Sequence, residues 1–363
     1  MARDIFSDEN IKLFELPGYS RFCENKPRTK ALIVHTGGIG KCLGLLRLAD
    51  FLKQNLAVAE VDFIGRCEKI SFLPRRSPVD RIIDFDKLGL KRLECEPADY
   101  ELPDNDALAM ELAGYEWVIN FVGEKGGRFE QNLIYTLYQT TSSEVVTLSV
   151  SAPRDYSGHI SRFHIEEFYC EKGPSIEALS TGEKLSLDMD APVIRPAAGD
   201  ADRGREILTK AGCENPENAV ILAPGSGKAE KNWAIENYIE LAAMLYAKGY
   251  RPLWLIGPNE HGLVERIKSS GDKNPILRGI SLDQLAAVIA AAAGYIGNEA
   301  GTTQLSAMLG APTLAVFGET NRIHYGPQGA RTVVSVQPRN SFSSHCPEQT
   351  AAVLDAFFTI LSE

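Results

Sequence analysis

Four segments rich in glycine and small residues follow predicted β-strands. They are Gly37–Gly40, Pro224–Gly227, Gly257–Glu260 and Asn298–Thr303. Small residues let backbone N–H groups approach a phosphate, and the last segment also opens a predicted helix, whose positive dipole end attracts anions. Taken singly, each segment could be a tight turn. Three of them lie in the second half of the chain, at the same predicted edge of a sheet, and together these three indicate a nucleotide or sugar-nucleotide site.

Two charged side chains beside these segments could complete such a site. Lys231 could reach a diphosphate as a point charge, or it could be a solvated lysine in the charged run Lys228–Lys231. Glu260 could accept hydrogen bonds from ribose hydroxyls, or it could be a surface carboxylate on a turn. The residue types alone leave both alternatives open.

Gly40 and Lys41 also follow a predicted strand, which suggests the phosphate-binding loop of ATPases. That motif requires a glycine five residues before its second glycine and a serine or threonine after its lysine. This sequence has His35 and Cys42 at those positions, so the hydroxyl that would bind Mg²⁺ is missing. The ATPase interpretation is therefore disfavoured.

Strand-like and helix-like segments alternate in both halves, which is typical of doubly wound α/β folds with parallel sheets. We predict strands at Ala31–His35, Val61–Ile64, Arg81–Phe85, Trp117–Phe121, Val145–Val150, Val220–Ala223, Pro252–Ile256, Tyr295–Gly297 and Thr313–Phe317. We predict helices at Arg128–Tyr138, Ile160–Cys170, Ser281–Ala293 and Pro347–Leu361, and further helices after Gly40, from Ile235 and before Gly310. Ligands of such folds lie at the carboxyl ends of the strands.

The length of 363 residues indicates about two domains. Proline, glycine and charged residues dominate Ser151–Ala198, which we interpret as the connection. We predict an N-terminal Rossmann-like domain with its linker over residues 1–185, a C-terminal Rossmann-like domain over 186–340, and a final helix over 341–363.

Composition and charge disfavour several classes of protein. The chain has 38 Lys+Arg and 48 Asp+Glu, a net charge of −10, which argues against a sequence-independent nucleic-acid binder. Its polar N-terminus lacks the apolar core of a signal peptide, and its longest apolar run is too short to span a bilayer. The seven scattered cysteines include no CxxC pair. We therefore expect a soluble cytoplasmic protein without a bound metal and without a nucleic-acid partner.

Three runs of the second half stand in a specific order, namely APGSGKAEKNWAIENYIELA, LIGPNE and GYIGNEAGTTQLSAMLGAPTLAVFGETNRIHYGPQG. This order, across roughly Val220 to Gly329, resembles glycosyltransferase family 9, the ADP-heptose:lipopolysaccharide heptosyltransferases. That family has a Pro-Gly-Ser loop, a Lys-x-Trp, a Gly-Gly-x-x-Glu turn and an Asp-Ser-Gly-x-x-His helix start. The resemblance implies a GT-B architecture, in which two Rossmann-like domains with mainly parallel sheets face each other without a catalytic metal.

The resemblance also implies roles for individual residues. The C-terminal domain would bind a nucleotide-sugar, ADP-linked in this family, as a substrate, and no other cofactor is expected. Ser226 and Lys231 would contact phosphate, and Glu260 would contact the ribose. The other residues expected on the donor side are Gly225, Glu299, Gly301, Thr302, Thr303 and Gln304, of which Gly301, Thr302 and Thr303 would present backbone N–H groups to the diphosphate.

On the other side, the N-terminal domain would bind a saccharide acceptor such as the lipopolysaccharide core, with Gly38 and Gly40 in the acceptor-side loop. A lipid-linked acceptor would bring the protein into peripheral contact with the inner face of the membrane.

The helix start Glu299-Ala300-Gly301-Thr302-Thr303-Gln304 differs from the family's Asp-Ser-Gly-x-x-His, where glutamate for aspartate is a mild change, and two departures change the charge of the site. Gln304 stands where the family has histidine, and Lys41 stands where the family has an aspartate proposed as the general base. Three accounts of the reaction remain open. Another group is the base, with His35, Glu124 and Glu319 as candidates near predicted strand ends; Lys41 stabilises the leaving diphosphate while a different carboxylate takes the proton; or the protein binds nucleotide-sugar and catalyses transfer poorly or not at all.

Overall fold

The computed structural model describes residues 29–56, 58–138, 143–179, 192–258 and 260–362. These residues form two compact units. The first unit contains the described residues up to Gly37 and those from Gly44 to Val193. The second contains Gly38–Leu43 and the described residues from Ile194 onwards. Each unit has its own parallel sheet with helices around it, so the predicted α/β class is confirmed.

Five strands of the described chain build the sheet of the first unit. They are β1 (Thr29–Val34), β2 (Val58–Gly65), β3 (Arg81–Asp84), β4 (Trp117–Asn120) and β5 (Glu144–Thr147). The helices of this unit are α2 (Leu46–Asn55), α3 (Cys67–Ile70), α4 (Ala107–Leu112), α5 (Arg128–Tyr138) and α6 (Ile160–Leu179), with 3-10 turns at Leu90–Glu94 and Pro97–Asp99. The helix α1 (Ile39–Gly44) follows β1 in the chain, and all of it except Gly44 belongs to the second unit. All pairings are parallel, in the order β3-β2-β1-β4-β5. Successive strands are added on one side of β1 up to β3 and on its other side from β4 onwards, so the carboxyl ends of β1 and β4 flank a topological switch point.

Six strands of the described chain build the sheet of the second unit. They are β6 (Ala219–Ala223), β7 (Arg251–Ile256), β8 (Ile276–Arg278), β9 (Gly294–Asn298), β10 (Thr313–Phe317) and β11 (Thr332–Val336). The helices are α7 (Asp200–Lys210), α8 (Ile235–Ala247), α9 (His261–Ser269), α10 (Leu282–Ala291), α11 (Gly301–Met308), α12 (Arg322–Tyr325), α13 (Arg339–Phe342) and α14 (Pro347–Leu361), with 3-10 turns at Pro216–Asn218 and Ala229–Lys231. The parallel order β11-β10-β9-β6-β7-β8 places the switch point between β6 and β9.

The central strands form because helices cover both faces of each sheet, which favours continuous apolar runs over alternating ones. Every residue of β6, β9 and β10 is buried. Trp233, Tyr238 and Phe357 pack with these strands in one apolar core of the second unit. A separate apolar core, with Leu32 and Val118 among its members, lies in the first unit.

The predicted helices Arg128–Tyr138 and Pro347–Leu361 and the predicted strand Thr313–Phe317 are confirmed residue for residue. Ser281 caps α10 as predicted, and it forms a reciprocal capping box with Gln284. The prediction of a strand up to Val150 is wrong, because the strand ends at Thr147. Beyond that point the backbone N–H of Ser149 donates to the Glu167 carboxylate at 2.9 Å instead of pairing in the sheet.

Candidate functional site

Three of the four glycine-rich segments meet at one edge of the second sheet. They follow β6, β7 and β9, which are neighbours in the order β9-β6-β7 and run parallel. Their carboxyl ends therefore lie side by side, and the segments after β6 and β9 flank the switch point. Doubly wound sheets bind their ligands at this place.

Asn298, the last residue of β9, connects the segments after β6 and β9 with the Lys231–Trp233 turn and α8. Its Nδ2 donates to the carbonyl of Pro224 at 2.7 Å. Its Oδ1 accepts from the backbone N–H of Trp233 at 3.1 Å and from the Tyr238 hydroxyl at 3.0 Å. The backbone carbonyl of Asn298 accepts from the hydroxyl of Thr303 at 2.6 Å. One buried residue thus contacts the segment after β6, the Lys231–Trp233 turn, α8 and the first turn of α11.

Lys231 and Glu299 form an ion pair at the same edge. The Glu299 side chain is largely buried, with 9% of its surface exposed, whereas that of Lys231 is 28% exposed. Within the described chain, the second carboxylate oxygen of Glu299 and Oδ1 of Asn232 are buried acceptors without a hydrogen-bond donor. The site therefore has a half-accessible ammonium next to two acceptors that a ligand hydroxyl could satisfy.

Glu260 reaches from the segment after β7 toward the segment after β6. Its Oε2 accepts from the backbone N–H of Gly257 at 2.7 Å. Its carboxylate lies so close to Gly225 that a Cβ at this position would overlap it. Burial raises the pKa of the Glu260 carboxyl, and the hydrogen bond from Gly257 opposes that rise. Gly225 is thus a glycine because the carboxylate needs the space beside its Cα.

The first turn of α11 offers backbone N–H groups. Its N-cap residue is Ala300, which has no side-chain acceptor, so the amides at the start of the helix are not capped by a side chain. The hydroxyls of this turn bind within the protein: that of Thr303 donates to Asn298, and that of Thr302 accepts from Tyr295 at 2.9 Å. Burial raises the pKa of Tyr295 to about 12. This turn can therefore present its backbone amides to an anion, and the Thr302 hydroxyl, which accepts from Tyr295, keeps its own proton for donation, whereas the Thr303 hydroxyl donates within the protein.

Ser226 and Gln304 make local contacts. The Ser226 hydroxyl donates to the carbonyl of Lys228 at 2.6 Å. Gln304 Nε2 donates to the carbonyl of Tyr325 at 3.3 Å. Gln304 Oε1 also lies 2.7 Å from where a Cβ of Gly40 would stand, and the Gly40 nitrogen lies 2.8 Å from the Cβ position of Gly301. The Gly38–Leu43 segment therefore packs on the start of α11 in the second unit.

The candidate bases lie in different surroundings. His35 directly follows β1 and is buried, with its ring 5.9 Å from that of Phe121, which follows β4. Glu124 lies in the exposed turn after Phe121, and its carbonyl accepts from Gly127. Glu319 is exposed and follows β10, the strand next to β9. Each of the three residues lies at the carboxyl edge of its own sheet. Their roles as bases stay predictions.

The acceptor-side residues are more exposed. Gly38 and Lys41 are exposed, and Gly40 is half-buried. Lys41 belongs to α1, one residue after the Gly40 that contacts Gln304. Its predicted place in the site is compatible with this geometry and stays a prediction.

His164 was missed by sequence reasoning. It lies on α6 and is buried, with its ring 5.1 Å from the same Phe121 that contacts His35. Burial lowers the pKa of His164 to about 3, and repulsion from His35 and His159 adds to the effect. Hydrogen bonding to the backbone of Ser149 and Val150 opposes it. The local sequence around His164, a histidine among aromatic residues of a helix, does not indicate that its ring lies beside Phe121.

Asn298 begins one of the four glycine-rich segments but was not predicted as a site residue. One signal could have found it, because asparagine is depleted in strands and here ends a fully buried one. A polar side chain at such a position must find hydrogen-bond partners within the protein. The segments around it supply those partners.

Two features are absent from the described chain. Among its residues, no group of three or more His, Cys, Asp or Glu side chains is arranged to hold a metal ion. No helix in the same ranges is long and apolar enough to cross a lipid bilayer.

The second unit thus has a Rossmann-like topology whose carboxyl edge presents backbone amides and an ammonium, and comparison with known proteins shows what the chain is similar to. Residues 175–352 match the sequence model of glycosyltransferase family 9 (heptosyltransferase). Lipopolysaccharide heptosyltransferase 1 of Escherichia coli O18:K1:H7 (strain RS218 / NMEC) is 28% identical over 146 residues, which is 40% of this chain and 44% of that protein. The chain is therefore related to glycosyltransferase family 9, and the resemblance predicted from its sequence is confirmed. The chain spans less than half the length of this curated relative.

Solved structures show the same fold. The structure of E. coli ADP-heptose lps heptosyltransferase II has a TM-score of 0.68 at 17% identity, covering 92% of this chain and 99% of that chain. E. coli heptosyltransferase WaaC with ADP has a TM-score of 0.62 at 17% identity, covering 91% and 100%. At this identity the match supports the fold alone, and it extends over both units.

Proposed function

We propose that this protein is a glycosyltransferase that moves a heptose-like sugar from a nucleotide-sugar, ADP-linked as in the related enzymes, to a saccharide acceptor such as the lipopolysaccharide core. The observation that carries the proposal is the meeting of three amide-rich segments at the carboxyl ends of β7, β6 and β9, with Lys231 beside them. The family match over residues 175–352 covers these same segments.

The proposed reaction is a displacement at the anomeric carbon: the acceptor hydroxyl oxygen forms the new bond, the bond to the diphosphate breaks, a nucleoside diphosphate leaves, and the hydroxyl proton passes to a base, for which His35, Glu124 and Glu319 are the candidates. Negative charge grows on the diphosphate as the bond breaks, so groups aimed at it stabilise the transition state. We assign this role to the amides of Gly301, Thr302 and Thr303 and to Lys231. Glu260 would accept hydrogen bonds from the ribose, and the second oxygen of Glu299 would accept one from a sugar hydroxyl.

We also propose that transfer needs no metal ion, because an ammonium and a helix N-terminus of the protein itself can offset the charge of the diphosphate. This part is tested separately, by measuring transfer before and after treatment with EDTA. Activity that disappears with EDTA and returns with Mg²⁺ would contradict it without touching the rest of the proposal.

The proposed partners are small molecules and a saccharide. We propose that the protein acts in the cytoplasm and meets a lipid-linked acceptor by peripheral contact with the inner face of the membrane. Sedimentation with vesicles that carry such an acceptor, and with vesicles that lack it, tests this location.

Calorimetry with ADP and with UDP, paired with a transfer assay using ADP-heptose, tests the central proposal. We expect ADP to bind and to bind more tightly than UDP, and heptose to be transferred to a core acceptor. Binding of ADP without transfer to any acceptor would favour the alternative that Lys41 raises, a nucleotide-sugar-binding protein with impaired catalysis. Failure to bind either nucleotide would refute both.

Lys231→Ala tests the main charged residue. We expect kcat/KM for the donor to fall roughly ten- to hundredfold, because a hydrogen bond between charged groups contributes about 1.5–3 kcal/mol. Lys228→Ala is the matched control, since Lys228 belongs to the same charged run and is exposed. Equal kinetics of the two folded variants would remove Lys231 from the site.

A further inference from the structure

The side chain of Asn298 forms hydrogen bonds with segments that are far away from it in the sequence. Its three side-chain hydrogen bonds reach Pro224, Trp233 and Tyr238, which are 74, 65 and 60 residues away in sequence. The residue is completely buried. A buried amide that satisfies three distant partners fixes their separation more tightly than apolar packing does.

The chemistry of these contacts requires an amide. The carbonyl of Pro224 needs a donor, while the N–H of Trp233 and the hydroxyl of Tyr238 need an acceptor. Asparagine supplies both from one short side chain. An ionised aspartate would keep the acceptor but would turn an oxygen toward the Pro224 carbonyl, and an alanine would leave all three partners unsatisfied.

The partners of Asn298 adjoin the residues proposed to bind the donor. Pro224 precedes Gly225 and Ser226, and Trp233 ends the turn that carries Lys231. Glu299, the ion-pair partner of Lys231, is the residue after Asn298. The hydroxyl of Thr303, in the first turn of α11, donates to the Asn298 carbonyl. Asn298 thus contacts or adjoins all these groups, and because it is completely buried it does not itself face the proposed nucleotide-sugar.

We propose that Asn298 is a positioning residue: it sets the separation of the Pro224–Gly227 segment, the Lys231–Trp233 turn and the start of α11, and so holds Lys231 and the amides in one arrangement. Its effect on donor binding rests on the function proposed above. Its effect on the three segments does not, which allows the two to be tested apart.

Hydrogen exchange measured by mass spectrometry tests the positional effect without any ligand. In Asn298→Ala, peptides that cover residues 224–233 should exchange roughly three- to tenfold faster than in the unchanged protein, because the buried hydrogen bonds that hold them are lost. Tyr238→Phe removes only one donor and should give a smaller increase in the same peptides. If Asn298→Ala does not fold, Tyr238→Phe alone tests the positional effect.

Asn237 offers a matched control. It is equally buried, and its side chain also bonds to backbone groups, donating to the Ser344 carbonyl at 3.1 Å and accepting from the Cys346 N–H at 2.7 Å. These partners directly precede α14, and neither of them belongs to a glycine-rich segment. Asn237→Ala should therefore lower the melting temperature and speed exchange around residues 344–350, but leave the exchange of residues 224–233 unchanged.

Steady-state kinetics then test the consequence for the donor. Asn298→Asp should raise the KM for the nucleotide-sugar and the Kd for ADP roughly tenfold, with the KM for the acceptor unchanged, whereas Asn237→Ala should change neither. Equal exchange of residues 224–233 in Asn298→Ala, Tyr238→Phe and the unchanged protein would overturn the inference. If exchange rises as expected but the unchanged protein does not bind ADP, the positional inference stands and the proposed function fails.

Discussion

Gly225→Ala is the change for which the structure predicts the clearest local effect. The Cβ of an alanine at this position would overlap the carboxylate of Glu260, which lies directly beside the Gly225 backbone. The overlapping atoms are the far end of a flexible side chain, so the carboxylate will move while the backbone stays in place. The movement breaks the 2.7 Å hydrogen bond from the Gly257 N–H and removes Glu260 from its proposed place at the ribose.

The size of the effect follows from the bonds that are lost. A hydrogen bond to a carboxylate contributes about 1.5–3 kcal/mol to binding, and each 1.4 kcal/mol is a factor of about ten in affinity. We therefore expect ADP to bind roughly ten- to hundredfold more weakly to Gly225→Ala. The free energy of unfolding should change by less than about 1 kcal/mol, because the displaced Glu260 side chain is only partly buried and can turn into water.

Calorimetry with ADP measures this loss, and Gly227→Ala is the control. Gly227 lies two residues further along the same segment, and apart from its own atoms and those of its chain neighbours no atom of the described residues lies within 4 Å of its Cβ position. Gly225→Ala should also have almost no further effect in a protein that already carries Glu260→Ala, because the two changes remove the same contact. If Gly225→Ala binds ADP as tightly as Gly227→Ala does, the assignment of Glu260 to the nucleotide site is refuted.

Three other predictions follow from the described residues. Lys41→Asp should raise the rate of transfer if the natural protein lacks the base of the family, and a measured fall would instead assign Lys41 to the leaving group. The pKa of His164 is about 3 in the folded protein and near 6.5 in the unfolded chain, so between these pH values the unfolded chain binds a proton that the folded protein does not. The free energy of unfolding should therefore fall as the pH drops from 6.5 toward 3, by up to about 1.4 kcal/mol per pH unit. His164→Gln should flatten this part of a urea-denaturation pH series, and an unchanged slope would show that His164 is not responsible. Gly204→Ala should cost about 1–3 kcal/mol in urea denaturation because its Cβ would overlap the Ala287 carbonyl between α7 and α10, whereas Gly262→Ala, in open space on α9, should be neutral or stabilising.

The central strands and the glycine-rich segments could be predicted from sequence because their signals are local. An apolar run of β-branched residues that ends in small residues indicates a buried strand and its turn, whatever the rest of the chain does. Two edge strands, β8 and β11, were not predicted. β8 has only three residues, and no residue of β11 is fully buried, so neither carries the apolar run on which the other predictions rest.

The side-chain contacts of the site could not be predicted, because they join positions that are far apart in the chain. Lys231 and Glu299 are 68 residues apart, and nothing in either local pattern indicates that they form a pair. The same holds for Asn298 and Pro224. The sequence placed these residues on neighbouring strand ends, which is enough to predict a site but not to predict which groups face a ligand.

The two departures from the family pattern that change charge, Gln304 and Lys41, are linked through Gly40. Gln304 takes the place of a histidine that could carry positive charge, and its amide lies against Gly40. Lys41, the next residue, brings an ammonium to the Gly38–Leu43 segment, which packs on the start of α11. The charge that is lost at position 304 is thus regained one residue from the contact. This arrangement is the one required by the account in which Lys41 offsets the charge of a leaving diphosphate, and Lys41→Asp distinguishes the accounts: transfer falls if Lys41 acts on the leaving group, and it rises if the protein merely lacks the base.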